Sequence, residues 1–150
     1  QQFFIQPIAS FVGMMLNMPH RLAYFKPGWP AAKLLPERVG MLQTLVQGHT
    51  RTVNTKILVL VLPSADKDPK AYAEADQLGR EYRDMLQQYV TKLRTDGPTP
   101  IRVIDPKIIG CEKGQELVRR YEAQKNDKPL PGEPTGKERR AVIWTFMVDC

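Results

Sequence analysis

The nine residues TKILVLVLP, at positions 55–63, restrict this chain more than any other stretch. Residues 57–62 are all Ile, Leu or Val, so neither side of an extended strand carries a polar position. Alternation would mark a strand with one wet face, whereas an unbroken run marks a strand buried on both. The run therefore predicts a strand central in its sheet. Pro63 stops it, because proline brings no N–H to a ladder. Ser64, Ala65 and Asp66 follow and deliver a carboxylate to the strand's carboxyl end.

Helical and extended segments alternate around this strand. Leu35, Val39, Leu42 and Val46 line one helical face and predict a helix over residues 36–47. Pro36 suits its first turn and Gly48 its end. Leu78, Tyr82, Met85, Tyr89 and Leu93 form a longer stripe, widened by Leu86 and Val90. Glu81, Arg83, Asp84, Gln88 and Lys92 fall on the other faces, so this is an amphipathic helix lying on a sheet, closed by Gly97 and Pro98. A short strand is predicted over residues 22–25 and another over TPIRVID, ending at Asp105-Pro106. A third helix covers CEKGQELVRRYEAQK, with Leu117, Val118 and Tyr121 inward. The polar, proline-rich NDKPLPGEPTG predicts a mobile loop. RRAVIWTFMVDC is a terminal strand, with Val142, Trp144 and Phe146 on one face and Ile143, Thr145 and Met147 on the other. The order is βαβαβαβ. It predicts an α+β domain over residues 21–150, with a mixed sheet and helices packed against it. A Phe- and Met-rich apolar arm, residues 1–20, precedes it and reads as an interaction segment or as part of the domain's own core.

Chemistry is sparse along the chain. GxSxG, Walker A and GxGxxG are all missing, and His20 and His49 sit in turn-like segments far from either cysteine. The reading is non-enzymatic, with no cofactor. The net charge of +6 would attract an anionic partner, but basic residues are interleaved with acidic ones and no basic-aromatic stripe occurs. No nucleic-acid partner is expected. Cys111 and Cys150 lack a CxxC or a histidine cluster, so they make no zinc site; they are either two free thiols or one disulfide. The apolar run over residues 8–18 falls short of the roughly 20 residues that a membrane-spanning helix needs. It also lacks the basic start of a signal peptide. The chain opens on Gln1 rather than methionine, so a removed signal peptide or lipid anchor stays open.

The site-like feature is the PSAD–KDP junction. Ligands often sit where a strand's carboxyl end meets a helix's amino end. Backbone N–H groups favour anions there, while a carboxylate favours a cation or an amine. Asp66 and Asp68 have a plainer use, because aspartate is a preferred helix cap and Pro69 a preferred first-turn residue. Local chemistry favours capping.

Residues 22–148 resemble the OmpA-like, peptidoglycan-associating domain family. That family has a strand, a helix, a buried strand ending near an aspartate, and a long helix with a pattern like N..LS..RA..V..YL. Here the long helix reads DQLGREYRDMLQQYV, with Leu78 on the Leu, Gly79 on the Ser, and Leu86 and Tyr89 on later apolar positions. RRAVIW is similar to the start of the family's last strand, and YFKPGWPAAKLLPERVGMLQTLV to its first strand and helix.

The resemblance implies a binding pair for the diaminopimelate of peptidoglycan. An aspartate takes the ammonium and an arginine fork takes the carboxylate. Asp66 matches the aspartate. The arginine position falls on Tyr82, which also belongs to the apolar stripe. Arg83 is adjacent but turned about 100° around the helix, toward its polar side. A charge-assisted bond is worth roughly 1.5–3 kcal/mol, so its loss implies at least about tenfold weaker binding. Peptidoglycan binding is therefore expected to be weak or absent. The resemblance implies a periplasmic, outer-membrane-associated structural protein, reaching other envelope subunits through its N-terminal arm and the membrane only through a removed lipid anchor. A secretion-system outer-membrane complex, such as the Dot/Icm-type type IV machine with its OmpA-like lipoprotein, is one such setting. The alternatives are a true peptidoglycan anchor using Asp66 with a substitute arginine, and a cytoplasmic α/β enzyme or regulator. Within an oxidising envelope, Cys111 and Cys150 are a disulfide candidate.

Overall fold

A computed structural model describes residues 18–48, 55–64, 68–93, 101–108, 110–123 and 128–149. Asp66, Cys150, His49, the residue 1–17 part of the arm and the Gly97-Pro98 helix end lie outside the described residues. The elements in chain order are β1 (Ala23–Tyr24), β2 (Lys33–Leu34), α1 (Pro36–Gly48), β3 (Thr55–Pro63), α2 (Pro69–Leu93), β4 (Arg102–Ile104), α3 (Glu112–Glu122) and β5 (Ala141–Asp149).

The apolar run is the middle strand, as its composition requires. The main sheet has the order β4-β3-β5 and is mixed: β3 runs parallel to β4 and antiparallel to β5. Alternate residues of β3 feed two cores. Ile57, Val59 and Val61 join Ile143 and Met147 under α1 and α2. Leu58 and Leu60 join Phe146 and Val148 under α3. The α2 stripe enters the first core through Leu78, Tyr82, Leu86 and Val90, with Met85, Tyr89 and Leu93 half-buried beside them. A fully buried leucine contributes about 1.5–3 kcal/mol relative to an exposed one, so this stripe secures the helix. Leu117, Val118 and Tyr121 carry α3 into the second core. No helix among the described residues is long and apolar enough to cross a membrane.

Two expectations are corrected. The extended segment over residues 22–25 does not form a full strand of the main sheet. β1 pairs antiparallel with β2, and among the described residues the segment's ladder pairing with the main sheet is the isolated bridge of His20 to Thr145. The cause is the Pro27–Gly28 turn, where Gly28 adopts φ 84° and the Trp29 N–H donates to the Lys26 carbonyl at 3.0 Å. A positive φ favours glycine, and the turn folds the chain back on itself. β2 shows no period of its own between Pro30 and Pro36.

The proline-rich loop is not a loose one over its described part, residues 128–135. Leu130, Glu133 and Pro134 are buried. The Glu133 side chain is 1% exposed and carries three bonds. Its Oε1 accepts from the Leu130 N–H at 2.9 Å and from Arg139 Nη2 at 3.2 Å. Its Oε2 pairs with Arg21 Nη2. Arg21 also lies over the Trp144 ring, 5.4 Å from its centroid. Polarity suggested a solvated loop, but one buried carboxylate between two guanidiniums ties it to the sheet.

Candidate functional site

The site lies where the carboxyl ends of β3 and β4 meet the first half of α2. Its construction begins with a gap in the ladder. Thr145 turns its N–H and C=O toward His20, at 2.9 and 2.8 Å. The Val59–Thr145 pair is therefore non-hydrogen-bonded, and the Val59 backbone faces the β4 side. The last parallel pair is Leu58 with Ile104. One step further, Val59 stands opposite Asp105, and its carbonyl would take the N–H of the following residue. That residue is Pro106, which has none.

Arg83 supplies the missing donor. Its Nη1 donates to the Val59 carbonyl at 2.9 Å, and its Nη2 lies 3.4 Å from Asp105 Oδ2. The side chain is 11% exposed. Helical side chains lean toward the amino end, and here the guanidinium folds back over Gly79. A Cβ at Gly79 would come within 3.0 Å of Nη1. Burial lowers the Arg83 pKa, opposed first by the Asp105 carboxylate and then by Asp76. An arginine so placed remains charged. Asp105 is held in turn: its Oδ1 accepts from the Lys107 N–H at 2.9 Å, and its carbonyl from the Ile108 N–H at 3.2 Å. The Lys107 ammonium pairs with Glu122 on α3 at 3.0 Å.

One turn along α2, Gln87 performs a related task. Its amide donates to the Ile101 carbonyl at 3.0 Å and accepts from the Val103 N–H at 2.7 Å. These are outward-facing backbone groups of β4 and of the residue that leads into it. Two side chains at i and i+4 thus complete ladders that the strands leave unfinished.

Next to Arg83 is an open notch of about 180 Å³, solvent included. Leu60, Val61 and Ala75 supply its apolar lining, and Asp76, Arg83, Asp105 and Lys107 its polar lining. Pockets that enclose a small ligand run to roughly 300–1,000 Å³, whereas this notch is a shallow, solvent-open surface feature that encloses no ligand-sized space.

The sequence-derived candidates separate here. Tyr82 is 1% exposed, in the core. Its hydroxyl faces Thr145 without a hydrogen bond of ordinary geometry, and burial pushes its pKa well above the usual value. Arg83 does not point toward the helix's solvated side, as its position on the wheel suggests; it reaches back to the sheet. Asp66 lies outside the described residues, and the cap at α2 belongs to Asp68. The Asp68 Oδ1 accepts from the Lys70 N–H at 3.0 Å, and its carbonyl from the Tyr72 N–H at 3.2 Å. Cys111 is disulfide-bonded and caps α3, its Sγ accepting from the Gly114 N–H at 3.4 Å. Cys150 is the chain's other cysteine. Asp105 and Gln87 were not singled out. The Asp-Pro step after a strand marked Asp105, whereas nothing local marks Gln87.

Comparison of the chain with family models, with curated proteins and with solved structures finds no match.

Proposed function

We propose that the chain is a non-catalytic structural component of a bacterial envelope assembly, such as a secretion-system outer-membrane complex. In this reading it uses an OmpA-like fold whose peptidoglycan site is degenerate. The observation that carries the proposal is the state of Arg83. The nearest arginine to the family's ligand position is committed to the Val59 carbonyl and to Asp105. The position itself is held by Tyr82, inside the core. No α2 arginine at that position is left to grip a carboxylate. The disulfide at Cys111 supports an oxidising compartment. Interaction with other envelope subunits through the N-terminal arm, and a lipid anchor, belong to the same proposal.

Purified sacculi provide the test. The chain should sediment with them weakly or not at all, and Asp66→Ala should change nothing. Strong sedimentation abolished by Asp66→Ala would replace this reading with a wall anchor. A specific feature favours that second reading: the notch places Arg83 beside Asp76 and Asp105, an arginine and carboxylates in one place. Under it, Arg83→Met would abolish sedimentation as fully as Asp66→Ala.

A further inference from the structure

Lys26 and Lys33 flank the turn between β1 and β2, and both ammonium groups lie over one ring. Lys33 Nζ is 4.6 Å and Lys26 Nζ 5.8 Å from the Trp29 centroid. Trp29 stacks on Tyr24, with centroids 5.5 Å apart and planes 13° apart. Tyr24 packs with Leu35 and Leu130, and Gly132 comes so close that a Cβ there would stand 2.8 Å from the Tyr24 hydroxyl. The proline-rich loop thus backs Tyr24, Tyr24 backs Trp29, and Trp29 carries two cations.

Both lysines are exposed, and neither pairs with a carboxylate among the described residues. Two like charges sharing one indole repel each other, and cation–π attraction offsets only part of this. An anion between them would remove the conflict. The surrounding sequence provides none, because no Asp or Glu occurs before Glu37. Arg21, the other fixed cation of that stretch, is neutralised inside by Glu133.

The geometry points to this tip as a docking surface for anionic phospholipid headgroups, with the two ammoniums on phosphate oxygens and Trp29 at headgroup depth. A lipid surface suits it better than an acidic peptide. Pro27 and Pro30 bring no N–H groups with which to orient a peptide backbone. A tryptophan beside lysines is the residue pairing of a membrane interface. The surface is independent of the wall-binding question, since none of its residues borders the Arg83 notch.

Trp144→Phe leaves Trp29 as the sole tryptophan reporter, because the chain has two. The emission of this variant and its cosedimentation would be measured with phosphatidylcholine vesicles and with phosphatidylcholine–phosphatidylglycerol vesicles. A blue shift and cosedimentation are expected with the anionic vesicles alone, and both should weaken as salt is raised. Lys26→Ala/Lys33→Ala should weaken binding roughly thirtyfold, about fivefold per lysine, with an unchanged melting curve. Equal response to both vesicle types, or full binding by the double variant, overturns the proposal. So does binding to poly-glutamate without any vesicle response, which would make an acidic protein the occupant. Should Trp144→Phe fail to fold, cosedimentation with Trp144 intact decides between the same outcomes.

Discussion

Replacing Glu133 tests a buried carboxylate that carries three bonds. Its carboxylate is nearly inaccessible and stands between Arg21 and Arg139, whose side chains are 8% and 12% exposed. Glu133→Ala removes the carboxylate that two buried guanidiniums share, and strips the acceptor from the Leu130 N–H. Removing one partner of a buried pair costs about 3–5 kcal/mol, a large part of a typical total of about 5–15 kcal/mol. At this length each kcal/mol moves the melting temperature by about 2–4 °C, so a fall of about 6–20 °C is expected. Urea unfolding followed by circular dichroism supplies the free energy, and a thermal scan the temperature. Glu133→Gln keeps an acceptor for Leu130 but not the charge, so it should fall between the wild type and alanine. Arg21→Met/Glu133→Leu/Arg139→Met should recover part of the loss, because it removes the two guanidiniums together with the carboxylate they share. A loss below about 1 kcal/mol for Glu133→Ala would refute the account of a buried, charge-balanced network. A triple variant no more stable than Glu133→Ala would place the cost in the loop anchor rather than in the two guanidiniums.

Two further substitutions probe the core. Tyr82→Phe removes a buried hydroxyl that lacks an ordinary partner, so stability at neutral pH should change by less than about 1 kcal/mol. The folded Tyr82 titrates above its unfolded value of about 10, so its contribution is intact below that pH and falls as pH rises past it. The variant should therefore unfold less readily than wild type near pH 11 by about 1 kcal/mol, and parallel stability–pH curves would count against the burial argument. Gly114→Ala should destabilise despite alanine's better helix propensity. Its Cβ would stand 2.9 Å from Leu58 Cδ1, and Leu58 is fully buried. Overpacking of about 1–3 kcal/mol outweighs the gain of about 1 kcal/mol, and a melting temperature at or above wild type would show that Leu58 can move aside.

Regular periods carried the legible part of the fold. The unbroken run marked β3, the four-and-three spacing from Leu78 to Leu93 marked the face of α2, and alternation in β5 separated Ile143 from Trp144. What was hidden depends on pairs distant in the chain. Arg83 looked solvated on a helical wheel because its acceptor, the Val59 carbonyl, is left open only by the meeting of a parallel register with Pro106. Glu133 looked like a loop residue because its partner Arg21 lies 112 positions away. β2 escaped notice because two residues between prolines cannot display a period. At the candidate site the Asp-Pro step at Asp68-Pro69 correctly signalled a cap. The core placement of Tyr82 followed from its stripe, whereas the latch of Arg83 onto Asp105 required three elements in place.

The bond between Gln87 and β4 also bears on what the molecule can avoid. A bare strand edge is a template that any extended chain can copy, and repeated copying is how folded proteins run into filaments and aggregates. Ile101 and Val103 offer such a template, and the amide of Gln87 already occupies it with one donor and one acceptor. Copies of this chain brought close together in a large assembly would find that stretch of the sheet closed to recruitment. Crowding would then press side-chain surfaces together at the β4 edge without extending the sheet across that stretch.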